Sequence, residues 1–415
     1  MDDKEVFDIL TAEGKRQHTT LRMVASTNQV SGNVLKCLGS VFTNCYSEGY
    51  PKCENNPDGK RYYQGQENTD KIEKLAIERA KIAFKLPEDW HVNVQPYSGS
   101  PANIEVYNAL CEPGDIVVGL GLNSGGHLTH GHKVNFTGKN YTVHQFDVDK
   151  DTKIIDYNKL EDFVYNLHPK MMLIGTTAYS RILDWKRLRE IANKAGCYFV
   201  ADIAHVAGLV VGGAYPSPIP YADVVTLTTH KTLRGPRGGM ILCSGELAKK
   251  IDRSVFPEMQ GGPHMNQIAA LAVALGEALQ PEFKIYAEQV IKNAKRLADL
   301  LVHIYGLNIV SGGTDSHLMV VDLTSKSIDG KTAAIALEKA GIECSYSTIP
   351  YDPNPPARPS GIRLGTAILT TIGMKEDDMN TVAAYINKVL DNYDKDDVLA
   401  TVKEQIAEWV LSFNI

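Results

Sequence analysis

The feature of this sequence that most constrains its fold is a series of short apolar runs separated by helical stretches. Five such runs, rich in aliphatic or β-branched side chains, occupy residues 116–120, 171–174, 198–201, 224–228 and 240–243. Runs of this length are typical of strands buried on both faces of a sheet. Helical stretches, such as the one predicted over residues 185–195, lie between several of them. The alternation predicts an α/β fold with helices on both faces of a parallel or mixed sheet.

The pattern changes after residue 281. A long amphipathic helix over 282–305 precedes a new apolar strand at 318–323 and further helices over 332–340 and 375–390. A chain of 415 residues is also too long for a single core. We therefore predict an N-terminal arm or helix (1–20), a large domain (21–281) and a smaller α+β domain (282–415).

Composition argues against several classes of protein. A net charge of −6 gives no electrostatic reason to expect nucleic acid or an anionic membrane as a partner. Seven dispersed cysteines without a CxxC pair argue against a disulfide framework and a zinc site, so no metal is expected. No apolar run approaches the ~18 residues that span a bilayer, and the N-terminus lacks the pattern of a targeting peptide. We expect a cytoplasmic protein.

Three local patterns carry chemistry. The first is Ser98-Gly99-Ser100, which stands directly before a helical stretch with Pro101 near its first turn. Unpaired backbone N–H groups at such a helix start can bind a phosphate. Taken alone, the same string is also what an ordinary helix cap looks like.

The other two patterns stand at strand ends. Asp202 ends an apolar run, and an acid there can keep a pyridine nitrogen protonated, although a helix-capping aspartate looks the same. Lys231 follows the next apolar run, and a lysine there can form a Schiff base, although most lysines are solvated surface groups. Together, in this chain order, the three patterns are the parts that a pyridoxal phosphate site needs.

Longer strings make the chain resemble the serine hydroxymethyltransferase family from about residue 20 to 390. The matching strings are SEGYP (47–51), KRYY (60–63), SGS (98–100), GGHLTHG (125–131), THKTLRGPRGG (229–239), QGGP (260–263) and SGIR (360–363). The resemblance implies a fold-type-I transferase with a mostly parallel seven-stranded sheet and an obligate homodimer, and it leaves open whether dimers form tetramers. It also implies serine and glycine as substrates, pyridoxal 5′-phosphate as cofactor and tetrahydrofolate as co-substrate.

The resemblance assigns roles residue by residue. Lys231 corresponds to the Schiff-base lysine, Asp202 to the partner of the pyridine nitrogen, and His127 to the imidazole stacked on the cofactor ring. Further cofactor contacts are implied for Ser98, Gly99, Ser100, Asn103, Thr177, His205, Thr228, His230 and, from the neighbouring subunit, Gly262.

The substrate and folate sites are assigned in the same way. Arg363 resembles the clamp for the substrate carboxylate, supported by Ser26, and Glu48 resembles the carboxyl that handles protons near the substrate hydroxyl and the folate. Tyr46 and Tyr63 resemble the tyrosines that line the substrate pocket, with His205 beside it. Folate contacts are implied for Glu48, Tyr62, Tyr63, Leu122, Gly126, Leu128 and Ser347.

Several positions depart from the family pattern. Thr27 replaces a glutamate, Gln64 a glycine and Thr177 a serine, while Ser347 stands where an asparagine often contacts the pterin and Ala357 where phenylalanine is common. Residues 52–59 are an extra polar stretch that we expect to bulge near the mouth of the site. Because these changes concern mainly the folate side, two alternatives stay open: a folate-independent aldolase or transaldolase of threonine-like amino acids, and a non-catalytic paralogue that serves as a binding subunit.

Overall fold

The computed structural model describes residues 3–52, 56 and 58–413. Part of the stretch expected to bulge, namely residues 53–55 and 57, lies outside the described residues. In chain order the helices are α1 (Lys4–His18), α2 (Gly32–Leu38), α3 (Glu67–Ala83), α4 (Gly99–Leu110), α5 (Phe136–Asn140), α6 (Tyr157–Leu167), α7 (Trp185–Ala195), α8 (Ala207–Val211), α9 (Ala248–Arg253), α10 (Met265–Ala278), α11 (Pro281–His303), α12 (Gly330–Lys339), α13 (Ala367–Thr371), α14 (Asp378–Leu390) and α15 (Asp396–Val410).

The strands are β1 (Leu21–Arg22), β2 (His91–Asn93), β3 (Ile116–Leu120), β4 (Thr142–Phe146), β5 (Met171–Gly175), β6 (Tyr198–Asp202), β7 (Val224–Thr228), β8 (Gly239–Cys243), β9 (Asn308–Ile309), β10 (Leu318–Asp322), β11 (Ile342–Glu343), β12 (Ser345–Ser347) and β13 (Gly361–Gly365). Among the residues described, no helix is both long and apolar enough to cross a membrane.

The chain divides into two compact units. A central-sheet unit comprises residues 28–288, and a terminal unit comprises residues 1–27 with 289–415. These limits differ from the boundaries that the sequence predicts near residues 20 and 281. Residues 21 and 22 belong to the terminal unit because they form β1, which pairs in parallel with β11 of that unit.

The central-sheet unit is built on one mixed sheet. Counted over the described residues, it has seven strands in the order β2-β8-β7-β6-β5-β3-β4. The strands β7, β6, β5, β3 and β4 run parallel, whereas β8 and β2 are antiparallel to their neighbours. The predicted α/β fold with a mostly parallel seven-stranded sheet is confirmed.

One buried cluster of this unit lies between the sheet and α4. Side chains from several strands, among them Val117, Leu173, Val200, Val224 and Ile241, belong to this cluster together with residues of that helix. Every residue of β5, β7 and β8 is buried, which agrees with the apolar and β-branched residues that make up these strands. The sheet thereby fixes the ends of β6 and β7 against the start of α4.

The terminal unit has its own antiparallel sheet and core. The strand order is β12-β13-β10-β9, and the apolar faces of α12, α14 and α15 contribute to its buried cluster. Met23 and Leu21 from the N-terminal segment belong to the same cluster. This is the α+β arrangement predicted for the C-terminal part of the chain, with the N-terminal segment added to it.

Candidate active site

Two predicted site segments meet at one edge of the central sheet. Strand β6 ends at Asp202 and is parallel to β7, in which Thr226 is the register partner of Asp202. Strand β7 ends at Thr228 and leads directly to Lys231. Because the carboxyl ends of neighbouring parallel strands lie side by side, the acid and the lysine segment share one edge of the sheet.

Asp202 is buried and has three polar neighbours. Its Oδ2 atom accepts a hydrogen bond from Nδ2 of Asn103 (2.9 Å) and lies 3.0 Å from Nε2 of His130, while its Oδ1 atom accepts from the backbone N–H of Ala204 (2.9 Å). Burial by itself opposes ionisation of this carboxyl. The bonds from His130 and Asn103 outweigh the burial and hold the pKa of Asp202 below its usual range. The side chain is therefore an anion at neutral pH.

His130 is a candidate that the sequence patterns do not single out. Its Nδ1 atom accepts a hydrogen bond from the backbone N–H of His127 (3.1 Å), so the ring hydrogen sits on Nε2 and is donated to Asp202. The ring is fully buried. Its only sequence signal is its place three residues after His127 in the GGHLTHG string.

Asn103 connects this acid to His127. Besides Asp202, its amide donates to Oγ1 of Thr129 (2.8 Å), and its carbonyl accepts from Oγ1 of Thr226 (2.6 Å). The same Thr129 oxygen lies 2.8 Å from Nδ1 of His127. His127, Asn103 and Asp202, all predicted site residues, therefore belong to one hydrogen-bonded network, in which Thr129 and Thr226 are further members.

The predicted phosphate cradle lies at the start of α4. Ser98 precedes the helix in an extended conformation, and its side chain makes no capping bond to the helix. A Cβ atom at Gly99 would lie 2.5 Å from Cγ2 of Thr228, so this close approach of α4 to the end of β7 requires glycine. Thr228 in turn donates its hydroxyl to the carbonyl of Ala204 (3.0 Å). Ser98 and Ser100 are partly exposed beside these packed groups.

Hydrogen bonds hold the segment that contains Lys231 and Thr232. Nδ2 of Asn28 donates to the carbonyl of Lys231 (3.0 Å), and Oγ1 of Thr232 donates to the carbonyl of His205 (2.8 Å). His230 is largely buried next to cations, and burial first, then the charges of Arg237 and Lys231, lowers its pKa to about 4. His230 is therefore neutral at neutral pH.

A second cluster of predicted residues surrounds Glu48. Oη of Tyr63 donates to Oε2 of Glu48 (2.8 Å), and this bond raises the pKa of Tyr63. The rings of Tyr46 and Tyr63 meet edge to face at 5.6 Å, and a Cβ atom at Gly262 would lie 3.3 Å from the Tyr46 ring. Tyr46 is 62% exposed and Tyr63 is 44% exposed, whereas Glu48 is partly buried.

The residues predicted for folate are spread over several segments. Leu122 and Leu128 are partly or largely exposed, and Tyr62 is exposed with its ring edge against Phe256. A Cβ atom at Gly126 would lie 2.0 Å from the carbonyl oxygen of Leu120, so packing alone requires that glycine. The backbone N–H of Thr177, predicted for the cofactor, donates to the neighbouring Gly125 carbonyl (2.7 Å).

Arg363, Ser26 and Ser347 belong to the terminal unit. Arg363 lies in the middle of β13, and burial lowers its pKa to about 10, so it remains cationic at neutral pH. The segment before Ser26 runs beside β13, since the N–H of Gly365 donates to the carbonyl of Met23 (2.8 Å). Ser347 ends β12 and donates its hydroxyl to the carbonyl of Thr348 (3.1 Å).

The comparisons with known proteins agree with one another. The sequence model of the family "Serine hydroxymethyltransferase" matches residues 1–386. The serine hydroxymethyltransferase of Koribacter versatilis (strain Ellin345) is 51% identical over 407 residues, which cover 98% of this chain and 93% of that protein. The one from Legionella pneumophila (strain Corby) is 52% identical over 406 residues, covering 97% and 95%. The one from Acidobacterium capsulatum is 50% identical over 411 residues, covering 99% and 94%. The chain therefore belongs to the serine hydroxymethyltransferase family.

Proposed function

We propose that this protein transfers the hydroxymethyl carbon of serine to tetrahydrofolate, giving glycine and 5,10-methylenetetrahydrofolate in a reversible reaction. The observation that carries the proposal is the buried anionic carboxylate of Asp202 at the end of β6, beside the strand that leads to Lys231. The family assignment supports the same reaction. Pyridoxal 5′-phosphate as the cofactor and a cytoplasmic location are parts of this proposal.

The residues at the sheet edge fit pyridoxal phosphate. The start of α4 offers backbone N–H groups and the hydroxyl of Ser98, which is not used as a helix cap, and this combination suits a phosphate. An Asp202 carboxylate that stays ionised suits a protonated pyridine nitrogen. When bound, pyridoxal phosphate supplies an aldehyde that reacts with amines and a ring that accepts electrons from a bond breaking at the amino acid Cα.

Three residues of the chain are proposed to hold the cofactor. Lys231 would provide the amine that holds the cofactor by its aldehyde. Asp202 keeps the ring nitrogen protonated and is itself oriented by Asn103 and His130. His127, whose Nδ1 lies 2.8 Å from the Thr129 hydroxyl oxygen, would stack on the cofactor ring.

The substrate is held and protonated by other groups. Arg363 binds the α-carboxylate with two parallel N–H donors, and Ser26 adds a hydroxyl, which together select the bond at Cα that breaks. Glu48 takes or delivers the proton at the substrate hydroxyl and at the folate, and its bond to Tyr63 orients the carboxyl for that transfer.

We further propose that the active form is a homodimer. Tyr46, Tyr63 and Gly262 lie together on the surface of one subunit, and their proposed role is in the site of the neighbouring subunit. The high exposure of both tyrosines in the single chain supports this, because large aromatic side chains are usually covered in the functional assembly.

The test is an assay of the purified, cofactor-loaded protein with serine and tetrahydrofolate. We expect methylenetetrahydrofolate to form, and Lys231→Ala to abolish turnover while some cofactor stays bound. Borohydride reduction followed by peptide mass spectrometry should place the cofactor on Lys231. The matched control is Lys249→Ala, since that lysine side chain is 95% exposed.

Other outcomes would change the assignment. Rapid cleavage of allo-threonine without any transfer to folate would indicate the folate-independent aldolase, and a protein that binds no pyridoxal phosphate would indicate the non-catalytic paralogue. Unchanged turnover in Lys231→Ala would remove the role assigned to that lysine.

A further inference from the structure

A buried ion pair lies next to the loop that carries Glu48. Nη2 of Arg61 and Oε2 of Glu73 are 2.6 Å apart, and their side chains are only 4% and 1% exposed. Nε of the same arginine donates to Oδ1 of Asp70 (2.8 Å). Both acids lie on α3, so the guanidinium is held by one helix from two positions. Nothing in the proposed reaction uses this pair directly.

The Nη1 atom of Arg61 binds the loop that carries Glu48. Its Nη1 atom donates to the carbonyl of Ser47 (2.8 Å) and to the carbonyl of Gly49 (2.7 Å). These two residues are the immediate neighbours of Glu48 on either side. A single planar guanidinium therefore holds the backbone both before and after the carboxyl-bearing residue.

Gln95, which follows strand β2 in the chain, also binds both the Glu48 loop and Glu73. Its Nε2 atom donates both to the Gly49 carbonyl (3.0 Å) and to Oε1 of Glu73 (2.8 Å). The Gly49 carbonyl thus accepts from both Arg61 and Gln95, and both of these donors are bonded to the same buried carboxylate. The hydrogen bonds of Arg61 and Gln95 therefore connect the loop to Glu73 of α3.

The backbone of the Glu48 loop is paired with residues 60–62. Gly49 has φ of +94°, and a Cβ atom there would lie 2.2 Å from the carbonyl oxygen of Lys60. The N–H of Tyr50 donates to that oxygen (3.1 Å), and the N–H of Tyr62 donates to the carbonyl of Glu48 (3.1 Å). The segment with Glu48 is therefore paired with the segment leading to Tyr63, which is why the two side chains meet at 2.8 Å.

We propose that Arg61 is a positioning residue for Glu48: clamped by Glu73 and Asp70 on α3, it fixes the backbone on both sides of the carboxyl and so sets its reach to Tyr63 and the substrate. This inference rests on the proposed role of Glu48 in proton transfer. A displacement of about 1 Å at a reacting group can lower a rate by about 100-fold, so the effect should be large for a residue that does not touch the substrate.

Arg61→Lys is the decisive variant. Lysine keeps the charge beside Glu73, so the protein should fold, but an ammonium group lacks the planar fork that reaches both carbonyls while bound to two acids. We expect kcat of folate-dependent transfer to fall about 10- to 100-fold, with the dissociation constant for glycine within about twofold of wild type. The control Lys71→Met breaks an exposed ion pair on the same helix and should transfer at the wild-type rate.

A double-mutant cycle separates positioning from a merely structural role. In a Glu48→Gln background, Arg61→Lys should lower the residual transfer rate no further, because the arginine acts through Glu48. Hydrogen exchange measured by mass spectrometry supplies a readout that is independent of turnover. The peptide covering residues 46–63 should exchange at least about tenfold faster in Arg61→Lys than in Lys71→Met.

The outcomes are distinguishable. Wild-type transfer by Arg61→Lys, or an additional loss when it is combined with Glu48→Gln, would overturn the positioning role. If Glu48→Gln itself transfers like the wild type, the proposed role of Glu48 fails first. Slower transfer together with unchanged exchange in the 46–63 peptide would also contradict the inference.

Discussion

Nε2 of His130 donates a hydrogen bond to Oδ2 of Asp202 across 3.0 Å, and the histidine is fully buried. The direction of this bond follows from the other ring nitrogen, which accepts from the backbone N–H of His127. The carboxylate also accepts from Asn103. The acid proposed to hold the cofactor ring is therefore both oriented and kept ionised by these hydrogen bonds.

Replacing His130 should weaken cofactor binding. His130→Phe removes the donor to Asp202 but retains a planar ring, and a hydrogen bond to a charged group contributes about 1.5–3 kcal/mol. We expect the dissociation constant for pyridoxal phosphate to rise about 10- to 100-fold, measured by titration of the cofactor-free protein. His303→Phe, at an exposed helix end, serves as the control. An unchanged dissociation constant would show that the bond to Asp202 is not needed.

Gly99→Ala should be destabilising, and a second substitution should relieve it. The added Cβ atom would lie 2.5 Å from Cγ2 of Thr228, and overpacking of this kind costs about 1–3 kcal/mol. Thr228→Ser removes that methyl group and keeps the hydroxyl. Urea unfolding of both single variants and the double variant should give a double variant more stable than Gly99→Ala. Equal stability of these two proteins would mean that the strain lies elsewhere.

Glu105 should make the protein less stable as the pH rises. Both of its carboxylate oxygens are buried without a hydrogen-bond partner among the described residues, and burial raises its pKa to about 8. Between its ordinary pKa of 4.5 and 8, the unfolded chain releases this proton and the folded chain keeps it. Unfolding is therefore favoured by about 1.4 kcal/mol for each pH unit in that window.

Glu105→Met tests whether the protein loses stability as the pH rises, as predicted from the raised pKa of Glu105. We expect the stability of the variant relative to the wild type to grow by about 3 kcal/mol between pH 5 and pH 7, measured by urea unfolding at each pH. Below pH 4.5 the difference should be independent of pH, because both states of the wild type are then protonated. Glu78→Met, on an exposed part of α3, should show no such trend. A constant difference over the whole range would rule out a raised pKa.

Tyr63→Phe should slow the folate-dependent transfer. The substitution removes the hydroxyl that donates to Glu48 across 2.8 Å while the ring contact with Tyr46 at 5.6 Å is kept. A lost bond to a carboxylate corresponds to about 10- to 100-fold in rate if the bond is needed at the transition state. Steady-state kinetics with serine and tetrahydrofolate provide the measurement. A change confined to KM would assign the hydroxyl to binding alone.

Sequence patterns predicted the elements that are rich in apolar and β-branched residues or clearly amphipathic. Helix α7 and strands β3 and β7 have the predicted limits. In each of them the buried positions carry apolar or β-branched side chains, so the pattern is visible in the sequence. Strand β4 lacks this signal because only its last residue is buried, and β2 is three residues long with a polar end. Their pairing with neighbours, rather than their composition, makes them strands.

By itself, the sequence determined the α/β alternation, a helix that begins near Pro101 and the strand ends at Asp202 and Thr228, because these depend on local periodicity and turn chemistry. In the structure that helix begins two residues earlier, at Gly99. Only the tertiary structure decided that His130 donates to Asp202, that Arg61 holds both carbonyls beside Glu48, and that Leu21 pairs with Ile342. The physical reason is that each of these contacts depends on strand order and helix packing, which bring together side chains whose separation along the chain carries no periodic signal.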